Sequence, residues 1–478
     1  MPTERPQRER KRLWAVTACL LVCGFLLRLY FLRHMAFLAT DSLLYQDIAL
    51  NWLHHHVYGF STTIQPRPTL IRLPGYPAIL AGLDWVSQRF LVAAPTTLRS
   101  FLPVLWLQLF ADLGTCCLVA GLARRIGSVR AGVAALALAC LCPFTANYVA
   151  VPLTEIFTLF FLVMVFSALE RWMTTRYTRW LLLLSFALAW SILLRPDQGL
   201  LAAAILPVLF FASWAESATI LRRLRPVALC AVLTALPFTV WTARNWHTFH
   251  VFQPLAPKQA IDPGEVAPVH FEKWFRTWGM DFSASNDAYW NYPEDPVVVE
   301  NLPSRAFDSA EQRERTVAVL KQAADAGRLD AQVESELEAL AQERIAAHPL
   351  RYYVGLPAGR LMNMLLHPRT EMLPVPDRWW KYSEHRGQTL FALAYAALNL
   401  GYLLAAMAGL PRVLRRKKLL ALSMAGYIAM RCMLLLTLDN AEQRYTLEFF
   451  PLLIVFASGL WLTQPITYPM KGSSADGP

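Results

Sequence analysis

Apolar runs separated by short basic loops set the pattern of this chain. Ten runs stand out, at roughly 13–32, 98–123, 131–151, 153–170, 180–195, 199–216, 227–244, 389–410, 418–437 and 447–463. Each meets or approaches the ~20 mostly apolar residues a helix needs to cross a bilayer. The pattern therefore predicts an α-helical polytopic membrane protein. Two further apolar stretches, 78–92 and 350–366, are broken by Asp84 and Arg89 and by Arg351, Pro357 and Arg360. These read as interfacial helices lying on the outer leaflet.

Charge orders the spans. With a cytoplasmic N-terminus, ten crossings put five basic groups on the cytoplasmic side. They are Arg124/Arg125/Arg130, Arg171/Arg176/Arg179, Arg222/Arg223/Arg225, Arg412/Arg415/Arg416 with Lys417/Lys418, and the tail with Lys471. This satisfies the positive-inside bias. The same parity places 33–97, 245–388 and the turn 438–446 outside, and all ten histidines fall in the first two of these segments. The expected organisation is a transmembrane module over 1–244 with the outer loop 33–97, an extracytoplasmic subdomain over 245–388, and a second module with a cytoplasmic tail over 389–478. In the subdomain, Ser309 with Gln312 forms a capping box opening a helix that stops at Gly327. A second helix starts near Asp330, carries Val333, Leu337 and Leu340 on one face and ends at His348–Pro349. The aromatic residues of 254–306 (Phe271, Trp274, Phe275, Trp278, Tyr289, Trp290, Tyr292) suit either an interfacial belt or stacking on sugar rings.

Composition changes this picture little. The net charge of +11 sits in the loops between spans, where it sets orientation, and this excludes nucleic acid as the expected partner. The basic start followed by an apolar run is similar to a signal peptide. The run is long and no small-residue cleavage site follows, so it reads as an uncleaved first span. All eight cysteines lie inside apolar runs, where they pack as small apolar residues rather than as a disulfide framework or metal site.

The chemistry gathers at the outer ends of the spans. Residues 40–56, TDSLLYQDIALNWLHHH, follow the first span. At 100° per residue Asp41, Tyr45, Ile48, Trp52 and His55 share a helix face, with Asp47 roughly 120° away from Asp41. Asp41 is a candidate general base or a plain N-cap. His54, His55 and His56 diverge on a helix and cannot converge on one metal. Next, Pro74 and Pro77 fix the chain around Gly75, which permits an unusual turn. Arg72 precedes them and can meet a lipid phosphate. Arg195 with Asp197, Arg244 with Asn245, and Asp439, Glu442, Arg444 and Tyr445 all lie at outer ends. Outer-side arginines run against the usual bias and each asks for an anionic partner. Glu155 opens a span on the same face. Asp112 lies within a span, paired with one of these arginines or half-buried near the end. No P-loop, dinucleotide fingerprint, HExxH or GxSxG is present, which weighs against nucleotide-driven transport and serine hydrolysis.

Six motifs in order then carry a resemblance: D-S-x-x-Y-x-x-I-A from Asp41, R-x-P-G-Y-P from Arg72, L-T-E ending at Glu155, L-x-R-P-D through Arg195, A-R-N-W through Arg244, and Q-R-Y-x-L-x-x-x-P through Arg444 and Tyr445. Together they resemble bacterial GT-C glycosyltransferases. More narrowly they resemble family 39, which includes the protein O-mannosyltransferases, the aminoarabinose transferase acting on lipid A, and the lipopolysaccharide-core galacturonosyltransferases. The resemblance implies a GT-C architecture in a bacterial cytoplasmic membrane with an extracytoplasmic site. It implies inverting transfer of a sugar from a polyprenyl-phosphate donor to lipid A, a core sugar, another envelope glycan or protein. Asp41 matches the family's proposed base. Arg72, Arg195, Arg244, Arg444, Tyr445, Glu155 and Tyr45 are the expected donor-phosphate and substrate-binding residues. The aminoarabinose transferase has a metal-linked acid just before the proline of its second loop motif. Here that neighbourhood reads Arg72–Leu73–Pro74, so no metal or other cofactor is expected. Competing readings are a lipid-linked glycan ligase or polymerase, which shares the outer-face chemistry, and a non-enzymatic lipid or sugar transporter, which would carry mid-span charges and an inverted repeat.

Overall fold

The computed structural model describes residues 4–87, 98–214, 219–293, 295–327 and 329–462. The N-terminal half runs through α1 Glu4–His34, α2 Thr40–His55, α3 Gly75–Ser87, α4 Leu102–Ile126, α5 Val129–Cys140, α6 Pro143–Ala146, α7 Glu155–Thr175, α8 Thr178–Leu194, α9 Gly199–Trp214 and α10 Ile220–Phe249. A polar segment follows with α11 Val269–Arg276, α12 Phe282–Ala284, α13 Ala310–Ala326, α14 Ala331–Ala347 and α15 Leu356–Leu366. The chain closes with α16 Arg386–Arg416, α17 Lys418–Leu435 and α18 Phe449–Ala457. Among the described residues the one strand pairing is a short antiparallel ribbon, Gly59–Phe60 against Arg67–Pro68.

The protein is a helical polytopic membrane protein. Among the described residues seven helices are long and apolar enough to span a bilayer, and an eighth forms if the bent pair Val129–Cys140 and Pro143–Ala150 is one span. The bend of 47° comes where Pro143 opens α6, since proline cannot donate into a continuing ladder. The remaining two expected spans fall on the shorter apolar helices Thr178–Leu194 and Phe449–Trp461. One apolar core unites the bundle, with α4 against α5 and α7, α7 against α8, and α16 against α18.

Following the helices end to end separates two kinds of termini. Asp41 (α2) and Glu155 (α7) lie in first turns, Arg195 closes α8, and Glu448 is the N-cap residue of α18. The basic groups at Arg124/Arg125, Arg171 and Arg415/Arg416 lie at the opposite ends of their helices. There Glu170 pairs with Arg125 at 2.7 Å and Lys417 at 3.5 Å. The tail with Lys471 lies outside the described residues, as do 88–92 with Arg89.

The polar segment has its own core. Ser309 and Asp330 cap α13 and α14 through their side-chain oxygens, and Gly327 ends α13 in the left-handed region at φ +58°. Val333, Leu337 and Leu340 pack against Phe271, Trp274, Phe275 and Trp278. Those four aromatic residues are fully buried, which corrects for them the expectation of an interfacial belt or a sugar-stacking platform, while Trp290 is half exposed. Phe271, Trp274 and Phe275 lie on α11, which packs on α14, and apolar area removed from water decides their place.

Three further expectations are revised. Gly75 makes no unusual turn; it opens α3, where an added Cβ would stand 2.5 Å from the Leu193 carbonyl oxygen. Its role is close approach to the end of α8. Arg360, a break in the apolar stretch 350–366, is not at the protein surface. It is buried and donates to the carbonyls of Arg276 (3.3 Å) and Gly279 (2.9 Å), tying α15 to the subdomain. Asp112 pairs with none of the outer arginines; its partner is Arg28 of α1, at 2.6 Å and wholly buried. The other Arg28 donors reach the carbonyls of Gly24, Ala139 and Cys140 and the Cys116 sulfur. A buried guanidinium is tolerated only with such full pairing.

Candidate active site

Asp41 lies in the first turn of α2, where the helix dipole favours an anion. It is not the N-cap; Ala39 is. Its two oxygens are divided between two arginines. Oδ1 accepts from Arg72 Nη2 at 3.0 Å, and Oδ2 from Arg444 Nη1 at 3.2 Å. Burial works to raise the Asp41 carboxyl, and the Arg444 and Arg72 guanidinium groups outweigh it and hold the group below its ordinary range. Tyr45, one turn on, sits under the Arg72 guanidinium at 5.9 Å and edge-on to Tyr76 at 5.0 Å. Burial pushes the Tyr45 phenol up to about 12, so it stays protonated.

Tyr76 continues the support. Its hydroxyl donates to Gln108, whose amide donates to the carbonyls of Val149 (3.3 Å) and Val151 (2.9 Å). The helical turn Asn147–Ala150 is thereby fixed beside the site. Its Tyr148 hydroxyl donates to Glu371 at 3.0 Å, and burial raises the Glu371 carboxyl. Arg369, two residues before Glu371, is buried and donates to the Gln443 carbonyl and the Thr446 hydroxyl, pinning this loop to the turn that carries Arg444.

Arg444 also pairs with Glu442, and Tyr445 donates to the same carboxylate at 2.9 Å. The Tyr445 ring lies within reach of two guanidinium groups, Arg444 at 5.6 Å and Arg195 at 5.8 Å. Arg195 is held by three carboxylates: Glu155 (3.2 Å), Asp197 (3.1 Å) and Glu448 (3.4 Å). Behind it Arg431 pairs with Asp197 at 2.8 Å and Glu448 at 2.9 Å. Tyr427 and Gln198 both donate to Glu448. Arg431, Glu155 and Glu448 of this second set are buried, Arg195 and Asp197 are partly exposed, and Arg431 also donates to the Tyr445 carbonyl at 3.2 Å.

Arg244 is elsewhere. It donates to the carbonyls of Thr69 (2.7 Å) and Tyr58 (2.8 Å), and Tyr58, Trp241 and Phe249 surround its guanidinium. It fastens the 56–74 loop to α10. Asp47 likewise serves the loop, accepting from the Ser61 amide at 2.8 Å and from Asn51 at 3.2 Å. His54 and His55 lie in the last turn of α2, with His56 at its C-cap. Among the described residues no group of three His, Cys, Asp or Glu is placed to hold a metal. With a guanidinium on each oxygen of Asp41, its surroundings do not suit a divalent cation.

The geometry thus brings together Asp41, Arg72, Tyr45, Arg444, Tyr445, Arg195 and Glu155, and leaves Arg244 apart. Residues 89–241 match the family model for dolichyl-phosphate-mannose-protein mannosyltransferase. The match covers about a third of the chain. The matched segment carries Glu155 and Arg195 but ends short of Arg244 and excludes Asp41, Arg72 and Arg444. Among solved structures, the chain is similar to the archaeal oligosaccharyltransferase AglB from Archaeoglobus fulgidus, in complex with an inhibitory peptide and a dolichol-phosphate. The identity is 14% and the TM-score 0.46, over 94% of this chain and 50% of that one. It is also similar to ArnT from Cupriavidus metallidurans bound to undecaprenyl phosphate, at 14% identity and TM-score 0.40, over 94% and 78%. The chain spans about half the length of the oligosaccharyltransferase. No curated protein sequence matches it.

Sequence reasoning missed Arg431, Glu448 and Arg369. Arg431 had a signal: a charge inside an apolar run is costly and asks for a partner. Glu448 stands within the Q-R-Y motif segment as one of its unspecified positions, and Arg369 lies in a loop with no pattern at all.

Proposed function

We propose that the protein is a membrane glycosyltransferase that moves a sugar from a polyprenyl-phosphate donor to an envelope acceptor, with inversion. The observation that carries this reading is Asp41, held between Arg72 and Arg444 at one end of the bundle. The acceptor hydroxyl attacks the anomeric carbon as the bond to the phosphate oxygen breaks. The electron pair leaves with the polyprenyl phosphate, and the hydroxyl proton passes to Asp41. A phosphate leaving group is already a weak base, so it needs charge neutralisation more than a general acid. Arg72 and Arg444 supply it.

The membrane placement belongs to the same proposal: a bacterial cytoplasmic membrane, both termini cytoplasmic, and the Asp41 end outside. The donor's polyprenyl chain lies among the spans, and the acceptor is lipid A, core sugar, another glycan or protein. The partition of helix ends into a basic set and the Asp41 set supports this orientation. Mass spectrometry of envelope glycolipids and glycoproteins from cells with and without the protein tests the reading. The expected result is loss of one sugar from one product class; an unchanged profile contradicts it.

A further inference from the structure

Of the arginines near Asp41, most are spent. Arg195 holds three carboxylates, Arg431 two of the same three, Arg369 a carbonyl and a hydroxyl, and Arg244 two carbonyls. Arg72 and Arg444 differ. They share one aspartate, and Arg444 has Glu442 besides. Arg72 Nε is buried with no hydrogen-bond partner among the described residues, as is the Nε of Arg369, Arg431 and Arg444, but Arg72 has Asp41 as its one carboxylate partner there. The side chains of Arg72, Arg444 and Asp41 are 24%, 19% and 27% exposed, against 14% for Arg195 and 0% for Arg431. An incoming anion meets three carboxylates around Arg195 but only Asp41 and Glu442 around the Arg72–Arg444 pair.

Both Asp41 oxygens also carry a guanidinium N–H. A carboxylate engaged in this way is poorly placed to take a proton from a hydroxyl, since a charge-assisted bond must first loosen. Resting on the glycosyltransferase reading above, we infer that Asp41 occupies the donor-phosphate site as an internal stand-in: the lipid phosphate binds the Arg72–Arg444 pair by displacing Asp41, and the displaced carboxylate becomes the base. A phosphate matches this pair better than a carboxylate does, having more oxygens to meet the guanidinium forks, including the idle Arg72 Nε. The consequence is an ordered cycle. The donor binds first, an acceptor arriving early finds no free base, and departure of the polyprenyl phosphate lets Asp41 return to its arginines.

The inference makes an unusual demand on the base. Removing its charge must strengthen lipid binding, because the phosphate no longer competes for the arginines. The experiment measures binding of undecaprenyl phosphate to the full chain in lipid nanodiscs. Asp41→Asn is expected to tighten binding about 3- to 10-fold over wild type, the range for relieving a partly exposed charge pair. Asp47→Asn, on the same helix but bonded to Ser61 and Asn51, is expected to leave affinity unchanged. Arg72→Met is expected to weaken it. If wild type binds and Asp41→Asn binds equally or more weakly, the stand-in idea is overturned while the transferase reading survives. If Asp47→Asn tightens binding as much as Asp41→Asn, the effect is general surface charge and the inference also fails. If wild type binds no undecaprenyl phosphate, both readings fall.

Discussion

In the proposed reaction Asp41 must be a carboxylate when an acceptor hydroxyl arrives, and its two guanidinium neighbours hold it in that form until the donor phosphate takes them over. Freed from both, the carboxylate takes the hydroxyl proton as the attacking oxygen bonds to the anomeric carbon. The alternation of one face of α2 and the Q-R-Y motif were enough to single out Asp41 and Arg444 from the sequence. Their pairing was not legible, because 403 residues separate them and no local pattern records a contact made by closing the bundle. Glu272 shows the same limit. Nothing in its surroundings along the chain marks it, yet burial and the Asp439 carboxylate push it up to about 7 against the opposing Lys258 and Arg276. A folded-state value raised above the ordinary 4.5 means that the stability this group contributes is fully present below pH 4.5 and lost as pH rises through about 7. The thermal unfolding midpoint should fall over that window in wild type and fall less in Glu272→Gln. Equal slopes would show that Glu272 does not titrate in this way.

At the scale of helices, the Arg195–Arg431 network joins the ends of α7, α8, α17 and α18 and the turn before α9 through charges at most 3.4 Å apart. Helix positions were legible because a bilayer enforces long apolar runs. The assembly was less so: Arg431 looks like a blemish in an apolar run until Asp197 and Glu448 are seen around it. Arg28 and Asp112 repeat the pattern on α1 and α4. Breaking a buried pair leaves the partner charge uncompensated, so Arg431→Met should cost about 3–5 kcal/mol and lower the thermal midpoint in detergent markedly. Adding Glu448→Gln to it should recover part of the loss, since the double variant strands less charge. Failure to recover any would mean that the two side chains are not coupled.

For the whole molecule, the bundle, the polar subdomain and the 56–74 loop meet around one end of the helices. Arg276 of α11 reaches Asp439 of the Arg444 turn at 3.0 Å, Arg369 pins the loop before α16 to the same turn, and Arg244 fastens the first loop to α10. These three clamps hold Arg72, Asp41 and Arg444 in register although they come from distant parts of the chain. The sequence reading found the two capped helices, because caps are local. Four aromatic residues expected at a surface are buried instead, because Phe271, Trp274 and Phe275 on α11 and Trp278 just beyond it share a core with α14, far along the chain. The central claim is transfer of a sugar by base assistance at Asp41. It is tested most directly by reconstituting the full chain in proteoliposomes with membrane lipids bearing radiolabelled polyprenyl-phosphate sugars and an envelope extract as acceptor. Wild type is predicted to move the label into an acceptor product and Asp41→Asn to form none while remaining folded. Label transfer by Asp41→Asn at the wild-type rate, or labelled lipid crossing the membrane with no glycosyl product from wild type, would contradict it.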